Sequence, residues 1–260
     1  MPEPIDVLIA DWTRLGCLFN TVASPATPDV ERLLLRTAML APDEPRVFVM
    51  AVTWLGRFAE LVARHRLRRL VLAELAIEHR PALAVLLATA QERTRPPLFA
   101  SILRELEPAA DPGPLFAVER LSPALIQRCR ERATRVSLEW GRWCEEAPPK
   151  ADALRPDRWV MSHNPELLAR ADFRGDVRAS ILAALAHDTG KAQGGGAVAL
   201  LSAGASEVHL ARCAGASRAQ VRAALDNLEL TGRVVRRRAP GVRAVRVEMG
   251  SDGYVERRSA

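Results

Sequence analysis

The sequence predicts a mainly α protein: an all-α N-terminal helical domain over residues 1–150, then a smaller C-terminal module over 173–250 built from three helices and a β-hairpin. A linker and connecting helix over 151–172 join the two, and 251–260 form a flexible tail. Three observations carry this reading. Through the first two-thirds, apolar residues recur every three or four positions and alternating Val/Ile-rich runs are almost absent. From Phe173 the pattern changes to capped helices followed by period-two alternation around a turn. The charge changes as well: residues 1–172 carry 23 basic and 23 acidic side chains and residues 173–260 carry 14 and 8, so the net charge of +6 lies in the last third. Positive charge gathered on one module beside a neutral one is the electrostatic footprint of nucleic-acid binding.

In the N-terminal domain, Thr27-Pro28-Asp29 supplies a cap, a proline for the first turn and an acid for the positive helix end, opening a helix to residue 40. A second helix is expected over 44–64, with Val47, Met50, Trp54, Phe58 and Leu61 on its core face. Further helices are expected over 67–78, 81–93 and 97–106, with a proline-rich loop at 108–114. No repeat of constant period supports a solenoid, so a compact bundle is the expectation. Ser122-Pro123 opens the longest helix, ending before Pro148-Pro149, with a nearly heptad stripe of Ile126, Cys129, Ala133, Val136, Trp140 and Trp143. That stripe suits either the central core helix or a dimer seam. Prolines at 148–156 then predict an extended linker, and Asn164-Pro165 opens a short helix to residue 171.

The C-terminal module begins with a helix over 174–187, with Val177, Ile181, Leu182 and Leu185 inward. A glycine-rich loop at 188–196 and a short apolar run at 197–201, strand or half-turn, follow. Ser206 caps a helix through 213, Ala214-Gly215-Ala216 make a turn, and Ser217 caps the next helix through 231, with Gln220 placed for a capping box. Two capped helices around a glycine turn make a helix-turn-helix. Val221, Ala224, Leu225 and Leu228 form the packing face of the last helix, and Ser217, Arg218, Ala219, Arg222 and Ala223 face away. After Gly232, Val234-Val235 and Arg236-Arg237-Arg238 run into the turn Ala239-Pro240-Gly241, and Val245, Val247 and Met249 alternate on the return. Between Arg218 and Arg246 eight arginines face only Asp226 and Glu229. A cluster such as Arg236, Arg237, Arg238 and Arg243 repels itself unless a polyanion meets it.

This stretch resembles the winged helix-turn-helix domains of bacterial transcription regulators, loosely of the MarR and ArsR kinds. The matching residues are Leu210-Ala211-Arg212, Gly215 and Ser217 at the turn, Val221, Leu225 and Leu228, and Gly232-Arg233-Val234-Val235 entering the wing. The likeness covers residues 173–249 and does not reach the N-terminal two-thirds. It implies a recognition helix in the major groove and a wing on the backbone or minor groove. The candidate DNA-binding residues are therefore Ser217, Arg218, Gln220, Arg222, Arg236, Arg237, Arg238, Arg243 and Arg246. The expected partner is double-stranded DNA, bound by a homodimer.

Other chemistry is not indicated. The longest apolar stretches run about ten residues, short of a membrane span, and the acidic N-terminus lacks the pattern of a signal peptide, so a cytoplasmic protein is expected. Cys17, Cys129, Cys144 and Cys213 form no C-x-x-C pair, which points to reduced, buried thiols. Gly190-Lys191 fails as a phosphate loop because Ala186 replaces the needed glycine and no hydroxyl follows the lysine. His209 and Cys213 share a helix face, but two ligands make no metal site unless His163 or His187 joins them. No catalytic set stands out, so the sequence predicts no enzyme, cofactor or metal. The leading expectation is a DNA-binding transcriptional regulator. The alternative is an interaction adaptor, antitoxin or defence-system component whose α-domain carries the main function and meets a protein partner.

Overall fold

The computed structural model describes residues 5–146, 148–189, 204–238 and 245–250, and they are mainly helical. Two compact units emerge, one from Met1–Ala59 and Leu70–His163, the other from Glu60–Arg69 and Asn164–Ala260. Among the described residues no helix is long and apolar enough to cross a membrane. The expected loop at 188–196 lies largely, and the expected run at 197–201, hairpin tip and tail wholly, outside the described residues.

The first unit holds α1 (Ile5–Arg14), α2 (Val30–Leu40), α3 (Pro45–Phe58), the second half of α4 (Arg64–Glu74), α5 (Arg80–Gln91), α6 (Ala100–Leu103), α7 (Pro123–Arg132), α8 (Arg135–Glu139) and α9 (Asp157–His163). A two-residue parallel pair, β1 (Gly113–Pro114) with β2 (Arg142–Trp143), completes it. α5 is buried around most of its circumference, and packs on both α2 and α3, as an apolar central helix must. Trp12 and Trp54 meet edge-on at 5.8 Å, and each satisfies its indole N–H, on Thr37 Oγ1 and on the Leu15 carbonyl.

Several expected boundaries move, each for a local reason. α2 is capped by Asp29, not Thr27: its carboxylate accepts from the Arg32 N–H at 3.2 Å and pairs with that guanidinium at 2.7 Å, a charge-assisted site no hydroxyl matches. The helix expected over 44–64 ends at Phe58, a 3-10 turn follows, and Arg64 opens the next helix. The helix expected over 97–106 shrinks to α6. The long helix after Ser122 does not run through. Ala133 turns extended at φ −61°, ψ 139°, and Thr134 caps α8 by accepting from the Ser137 N–H at 3.1 Å. Trp140 then ends α8 and Trp143 enters β2, so the heptad stripe spans three elements rather than one continuous helix. The stretch expected as a linker is tied into this unit, with Cys17 and Leu154 bridged and the Arg155 N–H donating to the Gly16 carbonyl at 2.7 Å.

The second unit holds the first residues of α4 with α10 (Pro165–Ala171), α11 (Val177–His187), α12 (Glu207–Ala214), α13 (Arg218–Leu230) and the antiparallel pair β3 (Val234–Arg238) and β4 (Val245–Met249). Ile181, Leu182, Leu185, Leu210, Val221, Leu225, Leu228, Val234 and Val247 form its core. α11 starts at Val177 rather than Arg174. Arg174 and Gly175 have φ of 43° and 70°, outside helical space, and Asp176 caps by accepting from the N–H groups of Arg178 and Ala179. Gly175 is required there because a Cβ would stand 2.3 Å from the Val62 carbonyl oxygen. Ala205 exchanges two backbone hydrogen bonds of 2.9 Å with Val247, adding a bridge to the free edge of β4.

Candidate nucleic-acid interface

The candidate site is built on α12, α13 and the β3–β4 hairpin. Ser206 caps α12 by accepting from the His209 N–H at 3.2 Å. α12 ends at Gly215 in the left-handed region, φ 67°, which turns the chain into Ser217. The capping box of α13 is complete: the Gln220 N–H donates to Ser217 Oγ at 3.3 Å and the Ser217 N–H donates to Gln220 Oε1 at 3.0 Å. Ser217 and Gln220 are thus committed to starting the helix. Val221, Leu225 and Leu228 are fully buried on one face of α13, which leaves Arg218 and Arg222 exposed on the other.

The arginines of the site differ from one another. Arg218, in the first turn of α13, meets no carboxylate among the described residues. Arg222 Nη2 lies 3.5 Å from Glu207 Oε2 on α12. Arg236 reaches Asp226 Oδ1 at 2.6 Å, while Arg237 Nε lies 3.5 Å from Glu248 Oε2 across the hairpin. Arg246 donates to the Gly204 carbonyl at 3.2 Å. Arg238 is the last residue of β3, and Arg243 lies outside the described residues. The fold therefore brings Arg222 and Arg236 together across α13 and the hairpin, and it adds four carboxylates, Glu207, Asp226, Glu229 and Glu248, that a charge count alone does not locate. For two of them, Asp226 and Glu229, the signal in the sequence is the spacing from Arg222, four and then three apart and so on one helix face.

His209 and Cys213 do meet, with Nε2 3.3 Å from Sγ, and Arg212 Nη2 lies 3.2 Å from His209 Nδ1. Burial pushes the Cys213 thiol up, away from the thiolate a metal needs. His187 faces Glu166 at 3.2 Å and His163 stacks on Trp159 at 3.9 Å. Among the described residues no three His, Cys, Asp or Glu side chains converge for a metal ion. All four cysteines are buried and unpaired, and burial lifts Cys129 and Cys144 to about 12. No protein-family model, curated protein or solved structure matches the chain.

Proposed function

We propose that the C-terminal unit is a winged helix-turn-helix that binds double-stranded DNA, with α13 as recognition helix and the β3–β4 hairpin as wing, and that the protein is a transcriptional regulator acting as a homodimer. The observation that carries this reading is α13 itself. It is a capped helix with one face buried to the core and an exposed N-terminal first turn that presents Arg218, with arginine-bearing strands beside it. Small Ala219 and Ala223 on the outer face allow close approach to base edges. The reading assigns no catalytic residue and no cofactor.

One observation favours a second reading. Carboxylates stand beside Arg222, Arg236 and Arg237, which lowers the local positive charge and suits a surface that meets a protein. In that case the hairpin and α13 dock an adaptor whose larger helical unit carries the main function. Fluorescence anisotropy of the full chain with genomic duplex fragments at two salt concentrations separates the two. Binding that weakens steeply with salt is expected for the DNA reading. Absent or salt-insensitive binding overturns it in favour of the protein partner.

A further inference from the structure

Adjacent residues of a strand point to opposite faces, so Arg236 and Arg237 cannot do the same work. Arg236 stands opposite Val247, which is fully buried, and so lies on the core-facing side of the hairpin; Arg237 stands opposite Arg246 on the other side. The guanidinium of Arg236 turns onto α13. Its Nη2 donates to Asp226 Oδ1 at 2.6 Å and to the Arg222 carbonyl at 3.4 Å, and its Nε lies 3.6 Å from Glu229 Oε2. Its backbone N–H donates to Glu229 Oε1 at 3.4 Å. The Arg236 side chain is 21% exposed, against 71% for Arg237.

We infer that Arg236 is a positioning residue that clamps strand β3 onto helix α13 through Asp226 and Glu229, leaving Arg237 and Arg218 to meet the nucleic acid. The assignment of roles to Arg237 and Arg218 rests on the DNA-binding reading. A phosphate approaching Arg236 also meets the carboxylates of Asp226 and Glu229, which offset its charge. Holding the hairpin against α13 fixes where β3, and with it Arg237 on the opposite face, stands relative to that helix. Both side-chain hydrogen bonds leave from Nη2, to Asp226 and to the Arg222 carbonyl, while Nε adds only a longer charge contact with Glu229; the rigid guanidinium turns these two nitrogens toward two carboxylates at once, which the single ammonium of a lysine does not.

Two measurements on the full chain test the clamp. In amide hydrogen exchange, Arg236→Gln and Asp226→Asn are each expected to speed exchange across β3 and β4 about threefold to fivefold, the range of a partly exposed ion pair, and the double variant to add nothing further. Arg236→Lys, which restores charge but not the fork, is expected to exchange like Arg236→Gln. In duplex-DNA titrations over a range of salt, Arg237→Gln is expected to lower the log–log salt slope by about 0.9, one phosphate, whereas Arg236→Gln weakens binding with the slope unchanged. A reduced slope for Arg236→Gln, rescue by lysine, or additive exchange effects each overturn the clamp. If the native chain binds no DNA, the DNA reading fails while the exchange series still decides whether Arg236 clamps the hairpin.

Discussion

Arg66 and Asp188 meet through two guanidinium nitrogens, at 3.0 and 3.2 Å, with both side chains withdrawn from water. Asp188 is the C-cap of α11, where the negative end of the helix dipole disfavours an anion, so the guanidinium offsets both burial and dipole. Losing one partner takes this two-point pairing away from a buried charge. Arg66→Ala is expected to cost about 3–5 kcal/mol in urea unfolding, and Arg66→Met with Asp188→Leu to cost less, because neither charge of the pair is then left buried. A loss below about 1 kcal/mol for the single variant refutes this account of the pair.

The same pair makes residues 60–69 part of the C-terminal unit. A fragment starting at Asn164 lacks Arg66 and also the backbone against which Gly175 packs, although it holds all the candidate DNA contacts. Such a fragment is expected to show weak helicity and no cooperative melt by circular dichroism. A cooperative melt near that of the full chain would show that the segment is dispensable.

Gly215 is required by more than the turn. Its φ is 67°, and a Cβ there would stand 2.4 Å from the His65 carbonyl oxygen and 3.0 Å from Arg69 Cβ. Left-handed backbone alone costs an alanine about 1–2 kcal/mol, and a backbone clash adds a similar amount. Gly215→Ala is therefore expected to destabilise by roughly 2–4 kcal/mol. Thermal unfolding that leaves the midpoint unchanged would contradict this.

What was legible in the sequence was local. Ser206, and Ser217 with Gln220, announce helix starts through capping chemistry spanning three or four residues, Pro165 announces one by its place in the first turn, and the alternation of Val245, Val247 and Met249 announces a strand through its own period. The break at Ala133 was hidden because the apolar stripe continues in phase through it, and only the Thr134 cap and the return of Cys144, whose carbonyl accepts from the Thr134 N–H at 3.0 Å, mark the turn. Arg66 and Asp188 are 122 residues apart, a separation no local pattern reports. In the candidate site the arginines were visible, but which of them a carboxylate engages depends on how the hairpin lies on α13.

His65 gives the second unit a pH dependence. Burial, then the charges of Arg64 and Arg68, hold its imidazole below the ordinary 6.5, and Asp176 offsets only part of this. The unfolded chain therefore binds the proton more readily than the folded one, so the contribution of His65 to stability is complete above about 6.5 and is lost as pH falls below it. His65→Gln should flatten the stability curve between about pH 7 and pH 5 relative to the native chain, by no more than about 1.4 kcal/mol for each tenfold rise in proton concentration, the ceiling for a single site. Parallel curves for the two proteins over that interval would rule the effect out.

Arg218 and Arg222 lie one turn apart on the exposed side of α13, yet among the described residues only Arg222 of the two has a carboxylate within reach, Glu207 at 3.5 Å. If α13 enters the major groove N-terminus first, Arg218 is both nearer the base edges and free to turn both donors toward guanine. Arg222 must first leave Glu207. A bidentate arginine–guanine contact supplies about 1–3 kcal/mol of discrimination, so Arg218→Ala is expected to reduce preference for the cognate site by about tenfold or more while affinity for random DNA falls much less. Arg222→Ala is expected to lose less preference, and Glu207→Gln to strengthen binding to all sequences by releasing Arg222. Competition titrations of cognate against random duplex for the three variants decide the matter. Equal losses on both DNAs for Arg218→Ala would make it a phosphate contact, and no loss on either would mean that this face of α13 meets a protein.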